Sequence, residues 1–278
     1  MFSRIGPNHK NLFYPLKSAE SVVDQLGRRV AVPFPPRRIV SLVPSQTELL
    51  FDLGLGGNVV GVTKFCVHPA GARAQSTVVG GTKNFDFEKI AALKPDLIIG
   101  NKEENYQDGI ARLATQYPVW LSNISDLTEA LGMIRRVGFI AGAKEKAAAL
   151  ADEIAASFAA LKISRTEKAP VSAAHFIWRK PYMVAAPGTF IDDMLRRAGF
   201  ANAFAGLSRY PEISAEQLAA AAPQRIFLSS EPYPFAAKHV AEFQAICPAA
   251  TIEVVDGELF SWYGSRLLKS AAYFSQLR

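Results

Sequence analysis

The chain has 278 residues, 49% of them hydrophobic and 20% charged, with 31 Lys and Arg against 25 Asp and Glu for a net charge of +6. That is long enough for two modest domains or one large one, and apolar enough for a packed core. The basic residues are scattered, with no like-charged run and no nucleic-acid motif, so nucleic acid is not an expected partner.

No window approaches the roughly 18 unbroken apolar residues of a membrane-spanning helix. The opening residues lack the apolar run of a secretory signal, so none is expected in the chain as it starts. The two cysteines, Cys66 and Cys247, are expected as free thiols in different halves of the molecule.

Taken in order, residues 1–36 read as an arm followed by a hairpin, with short apolar runs from Val22 to Val32 around Leu26-Gly27-Arg28. Arg38 to Leu42 has the continuous apolar character of a buried parallel strand. Ser45 or Thr47 is placed to cap a helix reaching Leu53. Strands are expected at Val59–Thr63, Val78–Gly80, Asp96–Ile99 and Val119–Leu121, and helices at Phe87–Leu93, Ile110–Gln116 and Leu127–Ala141. This alternation predicts an α/β lobe with a mostly parallel sheet over residues 37–142.

The stretch AKEKAAALADEIAASFAAL follows. Ala147, Leu150, Ile154, Phe158 and Leu161 recur every three or four residues, which predicts a helix within residues 143–165, roughly 30 Å long at full extent. It reads as a rigid connector, because the same grammar restarts after it. Strands are expected at Val171–Ile177, Met183–Ala185, Ile226–Ser229 and Ile252–Val255, with helices at Phe190–Ala198, Ala215–Ala222 and Arg266–Leu277. The expected architecture is thus α/β, two Rossmann-like lobes with mostly parallel sheets joined by one long rigid helix, the second lobe occupying residues 166–278. FEKIAALKPDLII and AEQLAAAAPQRIF support a duplication: Glu88 stands to Pro95 as Glu216 stands to Pro223.

The glycines Gly54, Gly56 and Gly57 follow a helix instead of opening one, so they read as a helix end and turn and not as a nucleotide-binding loop. Walker, GxSxG and HExxH signatures are missing. Cys66 and His68 are spaced to ligate a soft metal, or to act as nucleophile and acid in an enzyme, but no companion Cys or His cluster accompanies them. In parallel sheets ligands bind beyond the carboxyl ends of the strands. The segments there carry Lys64, Phe65, Lys83, Lys102, Trp178, Arg179, Arg209, Tyr210, Trp262, Tyr263 and Arg266. Such a set suits a bulky ligand with flat apolar faces and negative edges.

RIVSLVPSQTELLFDLGLGGNVVGVT, the FEKIAALKPDLII segment, SEPYPF and DGELFSWYGSRL together resemble the helical-backbone substrate-binding proteins of ABC importers for vitamin B12 and ferric siderophores, over a span from about Val22 to the C-terminus. The resemblance implies a monomeric, non-enzymatic receptor without a cofactor. It would hold a metal chelate between its lobes and deliver it to a dimeric membrane permease through Glu88 and Glu216, in the periplasm or otherwise outside the cytoplasmic membrane. Thr82 and Lys83 stand where the family's vitamin B12 binders carry a tryptophan, and with the surrounding Lys and Arg they point to a more anionic chelate. The alternatives are an enzyme acting on a tetrapyrrole or metal chelate through Cys66 and His68, and a cytoplasmic carrier of the same kind of ligand.

Overall fold

The computed structural model describes residues 19–161 and 170–277; the expected N-terminal arm through residue 18 and the last part of the expected connector lie outside the described residues. β1 (Ala19–Val23) and β2 (Arg29–Pro33) form an antiparallel hairpin. Its turn is fixed by Asp24, whose carboxylate accepts from the Leu26 and Arg28 N–H groups, and by Gly27 at φ +79°, a backbone region that glycine adopts without strain.

β3 (Ile39–Ser41), α1 (Pro44–Asp52), β4 (Val59–Val62), α2 (Ala72–Gln75), β5 (Thr77–Val78), α3 (Phe87–Leu93), β6 (Leu97–Asn101), α4 (Gln107–Ala114) and β7 (Val119–Ser122) build the first lobe. Its five strands are parallel in the order β5-β4-β3-β6-β7. Helix α1 starts earlier than its sequence suggests: the N-cap is Val43 and Pro44 is the first helical residue. Proline suits that position, where its fixed φ is helical and its missing N–H is not needed. Thr47, an expected cap, instead hydrogen-bonds back to the Val43 carbonyl and the Ser41 hydroxyl.

Two long helices come next, α5 (Leu127–Ala141) and α6 (Lys144–Ala160). Gly142, at φ +84°, ends the first. Gly138 lets the two helices touch, since a Cβ there would fall 2.0 Å from that of Ala147. Ala147, Ala151, Ile154 and Phe158 are the buried face of α6. Its 17 residues span about 25 Å.

The second lobe contains β8 (Val171–Trp178), β9 (Tyr182–Val184), α7 (Phe190–Arg197), β10 (Phe200–Asn202), β11 (Glu212–Ile213), α8 (Ala215–Ala221), β12 (Arg225–Ser229), α9 (Val240–Ile246), β13 (Thr251–Val255), α10 (Gly257–Ser261) and α11 (Leu267–Phe274). Its sheet is mixed: β8 pairs β12, and β12 pairs β13, in parallel, while β9 and β11 add antiparallel strands. The repeat seen in sequence reappears in backbone detail. Asp86 and Ser214 cap α3 and α8, and Lys94 and Ala222 end them in the left-handed region before Pro95 and Pro223. Ile90 and Leu218 are the fully buried residues of the two helices.

Alternation along the strands divides the core. Ile39, Leu97 and Ile99 of one sheet and Ala173 and Phe227 of the other share a single apolar cluster with α5, α6 and α11. Their neighbours point the opposite way, Val40 and Ile98 into one outer core, Ala174, Ile226 and Leu228 into the other, as a period of two requires. The two lobes are therefore built on a common central layer.

Candidate functional site

A cavity of about 750 Å³ lies between the lobes, walled by the loops that follow the strands. From the first lobe come Pro44 and Ser45 after β3, Lys64 and Phe65 after β4, Lys83 after β5, Glu103 and Glu104 after β6, and Ile124 after β7. The second lobe adds Ile177, Phe190, Tyr210, Glu231, Pro232, Glu258, Trp262 and Tyr263. Both sheets thus aim the carboxyl ends of their strands at one space, where α/β sheets bind ligands.

Its surface is aromatic with embedded carboxyl groups. Trp262 and Tyr263 are buried, and Phe190 meets Tyr263 edge to face at 5.9 Å between centroids. Glu104 accepts the Tyr263 hydroxyl, and burial pushes its carboxyl up to about 7. The same contact and burial push the Tyr263 phenol far above its ordinary range. Glu231 accepts from the Ser261 hydroxyl and from the Trp262 indole at 2.9 Å, and burial raises its pKa too.

Six predicted residues line the wall: Lys64, Phe65, Lys83, Tyr210, Trp262 and Tyr263. Lys64 sits 5.0 Å from the centroid of Phe65, and Lys83 donates to the Glu103 carbonyl. The arginines take protein partners. Arg266 is buried between Glu48 at 2.7 Å and Glu258 at 2.8 Å, stacked over Trp262. Arg179 pairs with Glu242 at 2.7 Å, and Arg209 reaches across the cavity to Glu103. Each of these three guanidinium groups already faces a carboxylate.

Trp178 is 39% exposed, packs edge-on against Tyr233 and donates to the Lys180 carbonyl, away from the cavity. Lys102 is exposed and also outside the wall. Cys66 is fully buried, with its sulfur 3.1 Å from the Thr47 hydroxyl and 3.3 Å from that of Thr63, and burial pushes its thiol up. His68 instead faces Glu258 at 3.0 Å and the edge of Trp262. The pair does not converge, which corrects its candidacy as a shared metal or nucleophile site: a deeply buried, protonated thiol is a poor ligand and a poor nucleophile. Among the described residues no group of three or more His, Cys, Asp or Glu side chains is arranged to hold a metal.

Glu103, Glu104, Glu231, Glu258 and Phe190 were not anticipated. One signal was available for two of them, since Glu103 and Glu231 stand equally far downstream of Glu88 and Glu216 in the two repeats. Glu88 and Glu216 are exposed on α3 and α8. The Ser214 hydroxyl holds the Glu216 carboxyl below its ordinary range.

Two α/β lobes closing on an aromatic, carboxyl-bearing cavity define a ligand receptor. The chain belongs to the Periplasmic binding protein family, whose profile matches residues 39–245, a family of binding proteins and not of enzymes. The vitamin B12-binding protein of Vibrio cholerae serotype O1 is 29% identical over 202 residues, covering 72% of this chain and 73% of the relative. An ABC transporter substrate-binding lipoprotein of Bacillus subtilis, YvrC, is 28% identical over 218 residues, covering 74% and 68%. The crystal structure of a periplasmic heme-binding protein from Pseudomonas aeruginosa superposes with a TM-score of 0.72 at 26% identity, covering 86% of this chain and 91% of that one.

Proposed function

We propose that this chain is the substrate-binding component of an ABC importer, working outside the cytoplasmic membrane as a monomer. It captures a metal chelate of corrinoid, haem or siderophore type between its lobes and hands it to a permease dimer. The observation that carries this reading is the interlobe cavity of about 750 Å³, with Phe65, Phe190, Tyr210, Trp262 and Tyr263 offering flat apolar contact. Relatives named for vitamin B12, for heme and for ABC transport support the ligand class and the partner.

Within this reading the lobes comprise residues 37–142 and 166–278, and the helix in 143–165 acts as a stiff connector between them. Packing of α6 within the common central layer supports that role. Glu88 and Glu216 dock the two lobes on the permease, one carboxylate from each copy of the repeat meeting a two-fold partner.

Quenching of Trp262 fluorescence on titration with haemin, cyanocobalamin and a ferric hydroxamate siderophore tests ligand capture. Saturable binding of one of them at micromolar concentration or below is expected, and failure of all three would overturn the reading. Charge reversal of Glu88 and Glu216 is expected to abolish import in cells while leaving that affinity unchanged.

A further inference from the structure

Four glutamates line the cavity, and they differ in what holds them. Glu103 faces the Arg209 guanidinium, and Glu258 lies between Arg266 at 2.8 Å and His68 at 3.0 Å. Glu104 and Glu231 form no ion pair among the described residues. Each is held through Oε1 alone, by neutral donors: the Tyr263 hydroxyl on Glu104, the Ser261 hydroxyl and the Trp262 indole on Glu231. Neither Oε2 meets a donor among the described residues, and neither is sealed off inside the protein. Both groups therefore turn an unbonded oxygen to the cavity they line.

The two carboxyls come from corresponding places. Glu231 follows β12 as Glu103 and Glu104 follow β6, so each lobe supplies one. Around Glu104 stand Glu103 and Lys83 of the first lobe, and Tyr263 and Glu231 of the second. Burial is the largest influence and pushes its carboxyl up to about 7; the Tyr263 bond and Lys83 favour the anion, while Glu231 and Glu103 oppose it. Burial raises Glu231 too. There the Ser261 and Trp262 bonds favour the anion, and the charges of Glu258 and Asp256 oppose it.

A bulky chelate filling this cavity takes the place of water over both oxygens. A carboxylate that loses water and gains no cation is driven to take up a proton. We propose that ligand capture is coupled to protonation of the Glu104–Glu231 pair, so that the filled cavity holds a proton that the empty one releases. The coupling rests on the cavity being the ligand site, and it makes capture depend on the acidity of the surroundings. Below about pH 7 Glu104 already carries its proton in the empty chain, and affinity is level. Above that, binding must draw the proton from solution, and affinity falls by at most about ten-fold per pH unit.

The test uses the full chain and whichever of cyanocobalamin, ferrichrome and haemin it binds, in titration calorimetry from about pH 6 to about pH 9. The wild type should bind evenly up to about pH 7 and more weakly beyond. Glu104→Gln should lose that slope, and comparing the two chains cancels any ionisation of the probe. Glu231→Gln removes a like charge and should move the onset of weakening to lower pH. Repeating the titration at about pH 8 in phosphate and in Tris counts the protons exchanged. An uptake of about one is expected for the wild type and close to none for Glu104→Gln.

Binding whose pH profile and proton count are the same in wild type and Glu104→Gln would overturn the coupling while leaving the receptor reading intact. Failure of all three probes to bind would overturn the receptor reading, and the coupling with it. A 13C NMR titration of the side-chain carboxyls in the empty wild-type chain needs no probe. Glu104 is expected to titrate near neutrality there, and titration in the ordinary carboxylate range would overturn the coupling whatever binds.

Discussion

At the scale of single residues, the cavity carries carboxyl groups in places where burial opposes their charge. Glu104 titrates near 7 in the fold against an ordinary value of 4.5. Between those values the native state holds the proton that the unfolded chain has lost, so stability falls as pH rises, and the penalty is complete above pH 7. Glu104→Gln keeps an acceptor for Tyr263 and removes the titration. It should raise stability in urea by at most about 3 kcal/mol at pH 8 and leave it unchanged at pH 4.

His175 runs the other way. It is fully buried on β8, both ring nitrogens lack a partner among the described residues, and burial lowers its pKa to about 3. From pH 6.5 down to about 3 the unfolded chain takes up a proton that the native state refuses, so stability drops on acidification. Its ring lies 4.7 Å from that of Phe260. Replacing it by phenylalanine is expected to raise the melting temperature at neutral pH and to flatten the acid limb of a pH–stability curve.

At the scale of elements, the α5–α6 contact depends on one missing side chain. Gly138→Ala would drive a methyl group into Ala147 and against the Ala143 carbonyl, 3.2 Å away. The expected loss is about 1–3 kcal/mol, measurable by chemical denaturation, with the ligand affinity little changed. Elements were also where the sequence was most legible. α3 and α8 could be read because cap, buried residue and closing proline all lie within a single turn or two, where local chemistry decides. The start of α1 was misjudged because Ser45 and Thr47 are good caps in isolation, whereas Pro44 made Val43 the boundary. Strand β10 and helix α9 had no expectation at all, their burial being decided by neighbours distant in the chain.

The site was less legible than the fold for the same reason. Of the wall positions, Lys64, Phe65 and Lys83 could be proposed because each follows an expected strand, and Tyr210 and Trp262 because aromatic and basic residues gather around them in the second lobe. What Arg266 does could not, because Glu48 lies 218 positions away. Glu104 likewise takes its character from Tyr263, 159 positions later.

For the whole molecule, the contacts between lobes are numerous and of different kinds. Ser265 donates to Asp52, Arg266 is buried against Glu48, and Asp193 of α7 accepts from the Leu127 N–H at the start of α5 at 2.9 Å. Gly264 packs so closely on the Ser45 carbonyl that a Cβ would stand 2.5 Å from it. With a common apolar layer beneath them, these contacts support the proposal that the lobes make only small excursions. Small-angle scattering with and without haemin should therefore show a nearly constant radius of gyration, and a large contraction would contradict the stiff-connector reading.

The bridge from Arg209 to Glu103 differs from the other ties, for its arginine is half exposed. It is an ion pair in contact with solvent, and mobile ions weaken such a pair, so it would act as a latch only if it opens for ligand entry. Ligand entry would then be gated by how often the latch opens. Added sodium chloride should quicken stopped-flow capture of a neutral probe such as cyanocobalamin, whereas a purely steered encounter with a charged probe would slow. In Arg209→Ala that acceleration should vanish, leaving a receptor that loads at one speed in fresh and in salty water.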